Sequence, residues 1–430
     1  MADSGEPSVS LAATSVGGNG STSIAIPSSS TPKLALTWPT GKHPFWETQP
    51  VMQLKDAGDV NLPEGPIVQP TPGPDIKQEP YNLPAEYEWA AVDVEDGRSF
   101  EALHGFIDSN FESNRDFSSI YSEDYLRWVL CSPGFIKSLH VGVCTKKSKK
   151  LVGFIAGAPA RLRIKAKILR VAAVNLLCVH RKLRSKRLVP VLARELARRA
   201  QLEGIWQAVF ATSVHVPTPF AAGRWLTRFL DPKTMVDLGF MQLKPGMTMS
   251  RAMKMSRVLE RPATVGFRKM QAGDVPSVAE ILNGYLRDGF PVSPEVDEAF
   301  VEHFLVPKEG RVESFVVAAP ETGEITDFCS FLVQRKAAHN HPKHKEVKYA
   351  TLFYYAASKT PLVKLIRDLL VVAKQEGCVV FKAQSIMGND SFLDKLLFRG
   401  TPGSRPVYYY LYNYRLKKGL KAAGIGLMLL

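Results

Sequence analysis

The chain is short of acid, short of cysteine and without any long apolar run. Its 430 residues hold 41 Asp and Glu against 55 Lys and Arg, a formal charge of +14. Anionic partners are therefore expected: a nucleotide-bearing ligand, an acidic surface or nucleic acid. The five cysteines, Cys131, Cys144, Cys178, Cys329 and Cys378, form no CxxC pair, and three stand in apolar strand-like runs. That is the thiol usage of a reducing compartment, and it excludes a disulfide scaffold. No stretch reaches the ~18–20 apolar residues that span a bilayer. The opening MADSGEPSVS has neither a basic n-region nor an apolar h-region, so the expected setting is cytoplasmic, with no transmembrane segment. GxGxxG, GxxxxGK[ST], GxSxG and HExxH are all missing, which removes the common dinucleotide, P-loop, hydrolase and zinc-protease readings. His339, His341 and His344 have metal-like spacing. They lie in a Lys-rich polar loop without Cys or Asp, and no metal is expected there.

What the chain does have is length for two cores, and a repeat. Residues 1–39 are rich in Ser, Thr, Gly and Ala without periodicity and are expected to be disordered. Residues 40–85 read as an extended arm: HPFWETQPV, then LPEGPIVQPTPGPDIKQEPYNLP, too rich in proline for helix or central strand. Its adjacent aromatics either dock on the protein's own surface or help to line a ligand site. Farther on, EWAAVDVEDGRSFEALHGFI resembles GFRKMQAGDVPSVAEILNGYL. Likewise LARELARRAQLEGIWQAVFA resembles LIRDLLVVAKQEGCVVFKAQ, and both pairs stand at nearly equal separations. Each unit runs strand, helix, central strands, then helix, Gly and strand. The expected class is α/β (α+β), with two related halves over 86–260 and 261–430.

The stretch from Ile168 to Leu202 is the most informative. ILRVAAVNLLCVH fits a strand buried on both faces. LVPVLARELARRAQL places Leu188, Val191, Leu192, Leu196 and Ala200 at helical spacing, with Arg194, Arg198 and Arg199 on the other side. Between them stand Arg181, Lys182, Arg184, Lys186 and Arg187. A strand turning through a basic loop into a helix aims backbone N–H groups, a helix dipole and fixed charge at one point, which suits a phosphate. A solvated basic turn or an import-like patch is the alternative. The matching turn of the second half, YYAASKTPL, carries one Lys, so one phosphate-bearing ligand is expected, held by the first half. The terminal GIGLMLL, with Gly424 and Gly426 as a hinge, should pack and draw its α-carboxylate inside.

HPFWETQP, NLLCVHRKLRSKRLVPVLARELARR, LEGIWQAVF, MTMSR, GEITDFCSF, FLDKLLF, YYLYN and GLMLL resemble the N-myristoyltransferase (glycylpeptide N-tetradecanoyltransferase) family, from about His43 to Leu430. The resemblance implies two fused, pseudo-symmetric halves of the GNAT acyltransferase fold. It implies no cofactor beyond the co-substrate myristoyl-CoA, acceptors that are N-terminal glycine peptides and proteins, and no nucleic acid partner. By matching position it places His43, Pro44, Phe45 and Trp46 against the fatty acyl-CoA, together with Leu177, Cys178 and Val179, and Ser185, Lys186, Arg187, Leu188 and Val189. It makes the backbone N–H groups of Leu176 and Leu177 the oxyanion hole, and the terminal carboxylate of Leu430 the base. Asn175, Ala211, Trp225 and Thr227 fall on the acceptor side.

The departures cluster on that side. The family's YTAG reads Phe210-Ala211-Thr212-Ser213, its Tyr-Trp-His reads Trp225-Leu226-Thr227, and its acidic YVEDD loop becomes FESNRDF. The GxGDG turn becomes RGTPGSRP, and ITDFLSFY ends in Leu332. On the acyl-CoA side Leu176 stands for the usual Phe, and Ala173-Val174 for Glu-Ile, changes that leave backbone donors in place. Two classes of function follow: an active N-myristoyltransferase, or a relative that binds acyl-CoA or protein N-termini with little or no turnover.

Overall fold

Residues 43–56, 58–59, 61–111, 117–339, 341–400 and 404–430 are described in a computed structural model of the chain. The low-complexity segment over 1–39, most of FESNRDF, and the TPG of RGTPGSRP lie outside the described residues.

The first half runs β1 (Tyr87–Ala91), α1 (Gly97–Asn110), β2 (Phe117–Ile120), α2 (Glu123–Leu130), β3 (His140–Thr145), β4 (Leu151–Ile164), β5 (Lys167–Val179), α3 (Leu188–Leu202) and β6 (Gln207–Thr212). β7 (Ala221–Gly223), β8 (Trp225–Phe229), α4 (Pro232–Asp237) and α5 (Met249–Met255) lead out of it. The second half runs β9 (Phe267–Lys269), α6 (Val275–Gly289), β10 (Val292–Pro294), α7 (Glu298–Phe304), β11 (Val312–Ala318), β12 (Ile325–Ala338), β13 (Glu346–Ala357), α8 (Leu362–Gln375) and β14 (Cys378–Gln384). α9 (Asp390–Leu393), β15 (Arg399–Gly400) and β16 (Val407–Tyr412) close the chain.

The repeat is present in three dimensions, as expected. Each half centres on a long hairpin, β4–β5 or β12–β13, followed by a helix and a strand that pairs parallel to the hairpin's second arm. Every other named ladder among the described residues is antiparallel. Local signals set the element ends. Asp96 caps α1 by accepting from Ser99 N at 2.8 Å, and Gly204 and Gly377 turn the chain out of α3 and α8 at φ +74° and +81°.

The halves also trade strands. β10 of the second half extends the edge of β4, and β2 of the first half extends the edge of β12. At the opposite ends, β16 pairs with β6 while β8 pairs with β14. The two sheets are thus eight-stranded and interlocked. One apolar cluster joins them, and smaller ones fill the space under α3 and under α1 and α2.

The polar side of α3 is not a solvated face. Arg198 is buried on Glu195, its Nη2 donating to Oε1 at 2.6 Å, and Arg199 Nε donates to the same oxygen at 2.9 Å. The proline-rich arm lies across them: Tyr81 N donates to Glu195 Oε2 at 3.2 Å, and Arg198 Nη1 donates to Gln78 O at 2.8 Å. Burial raises the Glu195 pKa, but the two guanidiniums outweigh it and hold the carboxyl below its usual range.

Candidate active site

β5 runs beside β6 only from Val171 to Ala173, then the two strands part. On its other edge the register with β4 slips between Ala156 and Gly157, leaving Asn175 as an extra residue. Such a bulge turns backbone groups out of the ladder and commonly marks a site. The expected oxyanion donors, Leu176 and Leu177, follow it directly.

The parted strands open an apolar pocket whose space, counted together with its open mouth, is about 810 Å³. Ala172, Val174 and Leu177 of β5 form one wall, Ala208 and Phe210 of β6 another, and Val189, Ala193, Leu196 and Ala197 of α3 the roof. Phe45 and Trp46 close it from the arm, with Trp46 stacked on Phe210 at 5.6 Å between centroids. The arm's aromatics therefore line the site as well as covering the body. His43 and Pro44 lead into that closure without lining the pocket; the His43 ring stands 6.1 Å from that of His215. Leu176 and Cys178 point the other way, into the cluster under α1, and burial pushes the Cys178 thiol up to about 12. Those two positions can serve a ligand only through their backbones. Val179 packs under α3.

Beyond Val179 the basic loop divides its charges between two tasks. Arg184 is half-buried; it donates to Asn110 O and, at 3.5 Å, to Phe111 O, so it caps the end of α1. Ser185, Lys186 and Arg187 are exposed. Arg187 takes a left-handed turn at φ +56° and offers α3 no side-chain cap. The N–H groups of Leu188 and Val189 in the first turn of a 15-residue helix are left to meet an anion. Leu188 itself is buried on Gly153, where a Cβ would stand 3.0 Å from its Cδ2, so glycine lets the helix start sit close to the sheet.

The second half fills the equivalent place with its own anion. Asp327 Oδ1 accepts from Ser358 N, Lys359 N and Thr360 N at 2.7, 2.9 and 2.9 Å, and Oδ2 accepts from Thr360 Oγ1 at 2.9 Å. Asp327 is fully buried.

The terminal tail packs as expected. Ile425 to Met428 are buried, while Leu429 and Leu430 are half-buried against the joint core. Ala211 and Trp225 pack against the same core; Ala211 stands opposite Tyr409 and Trp225 opposite Gln384. Thr227 lies farther along β8, opposite Lys382. Sequence reading missed Gln49, Val216 and Tyr412, which also line the pocket. Tyr412 belongs to YYYLYNY, in which Tyr409, Tyr410 and Tyr414 are core while Tyr408 and Tyr412 are half-buried, and nothing local distinguishes it.

The family model described as "Myristoyl-CoA:protein N-myristoyltransferase, N-terminal domain" matches residues 66–223, and that for the C-terminal domain matches 237–427. The chain belongs to the N-myristoyltransferase family. Glycylpeptide N-tetradecanoyltransferase 1 of Arabidopsis thaliana is 46% identical over 390 residues, covering 90% of this chain and 89% of the relative. Glycylpeptide N-tetradecanoyltransferase 2 of Bos taurus is 38% identical, covering 90% of this chain and 76% of that protein. A crystal structure of Saccharomyces cerevisiae N-myristoyltransferase with bound myristoyl-CoA superposes with a TM-score of 0.84 at 30% identity, covering 90% of this chain and 95% of that one. The α/β fold with two GNAT-like halves is thus that of the N-myristoyltransferases. No described helix is long and apolar enough to cross a membrane.

Proposed function

We propose that this N-myristoyltransferase moves a myristoyl group from its CoA thioester to the α-amine of an N-terminal glycine, in the cytoplasm. The observation that carries the reading is the apolar wedge between β5 and β6, which ends at the Asn175 bulge beside an uncapped basic helix start. The acyl chain takes the wedge. The CoA phosphates take Ser185, Lys186, Arg187 and the N–H groups of Leu188 and Val189. The thioester oxygen then lies at the bulge, where the N–H groups of Leu176 and Leu177 stabilise the charge that develops on it. The Leu430 carboxylate holds the incoming α-ammonium and takes one proton. The free amine adds to the carbonyl carbon, the C–S bond breaks, and the amine's second proton leaves with the CoA sulfur. Asn175, Ala211, Trp225 and Thr227 face the acceptor.

The test is transfer of labelled myristate from myristoyl-CoA to a short Gly-initiated peptide, with its Ala-initiated twin as control. One CoA released per Gly peptide acylated, and none with Ala, is the expected result. Tight binding of myristoyl-CoA with no acylated peptide would leave a non-catalytic acyl-CoA binder instead.

A further inference from the structure

We propose that Tyr354 is the positioning residue of the terminal base, its hydroxyl fixing where the Leu430 carboxylate stands. The inference rests on reading Leu430 as that base. Tyr354 lies on β13 where the register with β12 slips between Cys329 and Phe331, in the half-to-half counterpart of the Asn175 bulge. Ser330 pins its backbone, with Oγ accepting from Tyr354 N at 3.1 Å and donating to Tyr354 O at 2.9 Å. The side chain is thereby aimed at the tail. The hydroxyl donates to Met428 O at 3.2 Å and accepts from Met428 N at 3.1 Å.

One hydroxyl thus closes both backbone groups of a single residue. Burial raises the phenol pKa, so the group stays neutral and can give and take a bond at once. Upstream, the tail is already held: Met387 N donates to Ile425 O at 3.0 Å and Gly426 N to Val292 O at 2.7 Å. Gly426 lies so close to Phe290 that a Cβ would meet its ring at 2.8 Å. Met428 is the last residue with a backbone hydrogen bond among the described residues, two positions before the carboxylate. The Tyr354 ring keeps the core filled with or without its oxygen. The oxygen holds the last stretch of chain.

Tyr354→Phe separates these parts. Tyr414→Phe is the control, because Tyr414 is as deeply buried and its hydroxyl has no hydrogen-bond partner among the described residues. Calorimetry with myristoyl-CoA, thermal melting, and steady-state transfer to a Gly peptide are measured on both. The expected result for Tyr354→Phe is a fall in kcat of ~10–100-fold, the scale of a base misplaced by about an ångström. Affinity for myristoyl-CoA should stay within about twofold, and Tyr414→Phe should behave as the natural protein. In a protein extended by two Gly residues after Leu430, which displaces the carboxylate itself, adding Tyr354→Phe should lower kcat no further. If the extension leaves kcat intact, the base reading falls. If the extension abolishes transfer while Tyr354→Phe retains it, the positioning role falls and the base stands. A joint loss of melting temperature, acyl-CoA affinity and kcat in Tyr354→Phe would show that the hydroxyl serves the fold alone.

Discussion

His140 shows how far burial can carry a single side chain. It opens β3 with 2% of its surface exposed, its ring stacked on Phe135 at 5.8 Å. Burial drives its pKa down to about 4, against a hydrogen bond to the Leu130 backbone that favours the charged form. An unfolded His takes up its proton near 6.5, so on acidification the unfolded chain gains a proton first. The stabilising contribution is whole above that value and is lost as the pH falls through 6.5 towards 4. The loss should reach about 3 kcal/mol, the linkage value of such a shift. Urea unfolding at stepped pH reads it directly: His140→Gln should flatten that part of the profile, and an unchanged slope would assign the acid sensitivity elsewhere. At this scale the sequence was legible where burial was at stake, as along Val171 to Val179, read as a strand buried on both faces. It was silent on the carbonyls of α1 and of the arm that occupy Arg184 and Arg198, whereas the Glu195–Arg198 pair is one turn apart on the same helix. Reading cations as free charge overstated what the basic stretch can offer a ligand.

Two strand–loop–helix units make the clearest comparison between elements. After β5 the loop presents an uncapped helix start and exposed cations; after β13 the same turn closes on Asp327. Asp327→Ala should cost about 3 kcal/mol or more, because five donors, Thr326 Oγ1 among them, lose a buried carboxylate at once. Formate, which returns a carboxylate to the space left above the Ala methyl, should raise the melting temperature of the variant and leave that of the natural protein alone. No response to formate would mean that the turn collapses rather than keeping an anion site. Periodicity and the glycines after each helix made these units visible in the sequence. Asp327 was not visible, because the residue that fills the second turn lies on β12, far upstream of it.

At the scale of the whole molecule, the repeat was legible and the interlocking was not. Strands β2, β8, β10 and β16 each complete the sheet of the other half, and no local pattern reports so distant a pairing. That exchange brings β16 beside β6 at the pocket and threads the tail back to the joint core. The wedge is therefore lined chiefly by the first half and the arm, with Tyr412 of β16 joining from the second. The claim everything else depends on is that this wedge holds the acyl chain. Ala197→Trp, set in its roof, tests it most directly, with calorimetry against myristoyl-CoA and against CoA itself. An indole there should displace about four methylenes at ~0.8 kcal/mol each, weakening myristoyl-CoA by at least ~100-fold. CoA affinity should hold, and the melting temperature should confirm that the variant folds. Undiminished affinity of Ala197→Trp for myristoyl-CoA would place the acyl chain somewhere other than between β5 and β6.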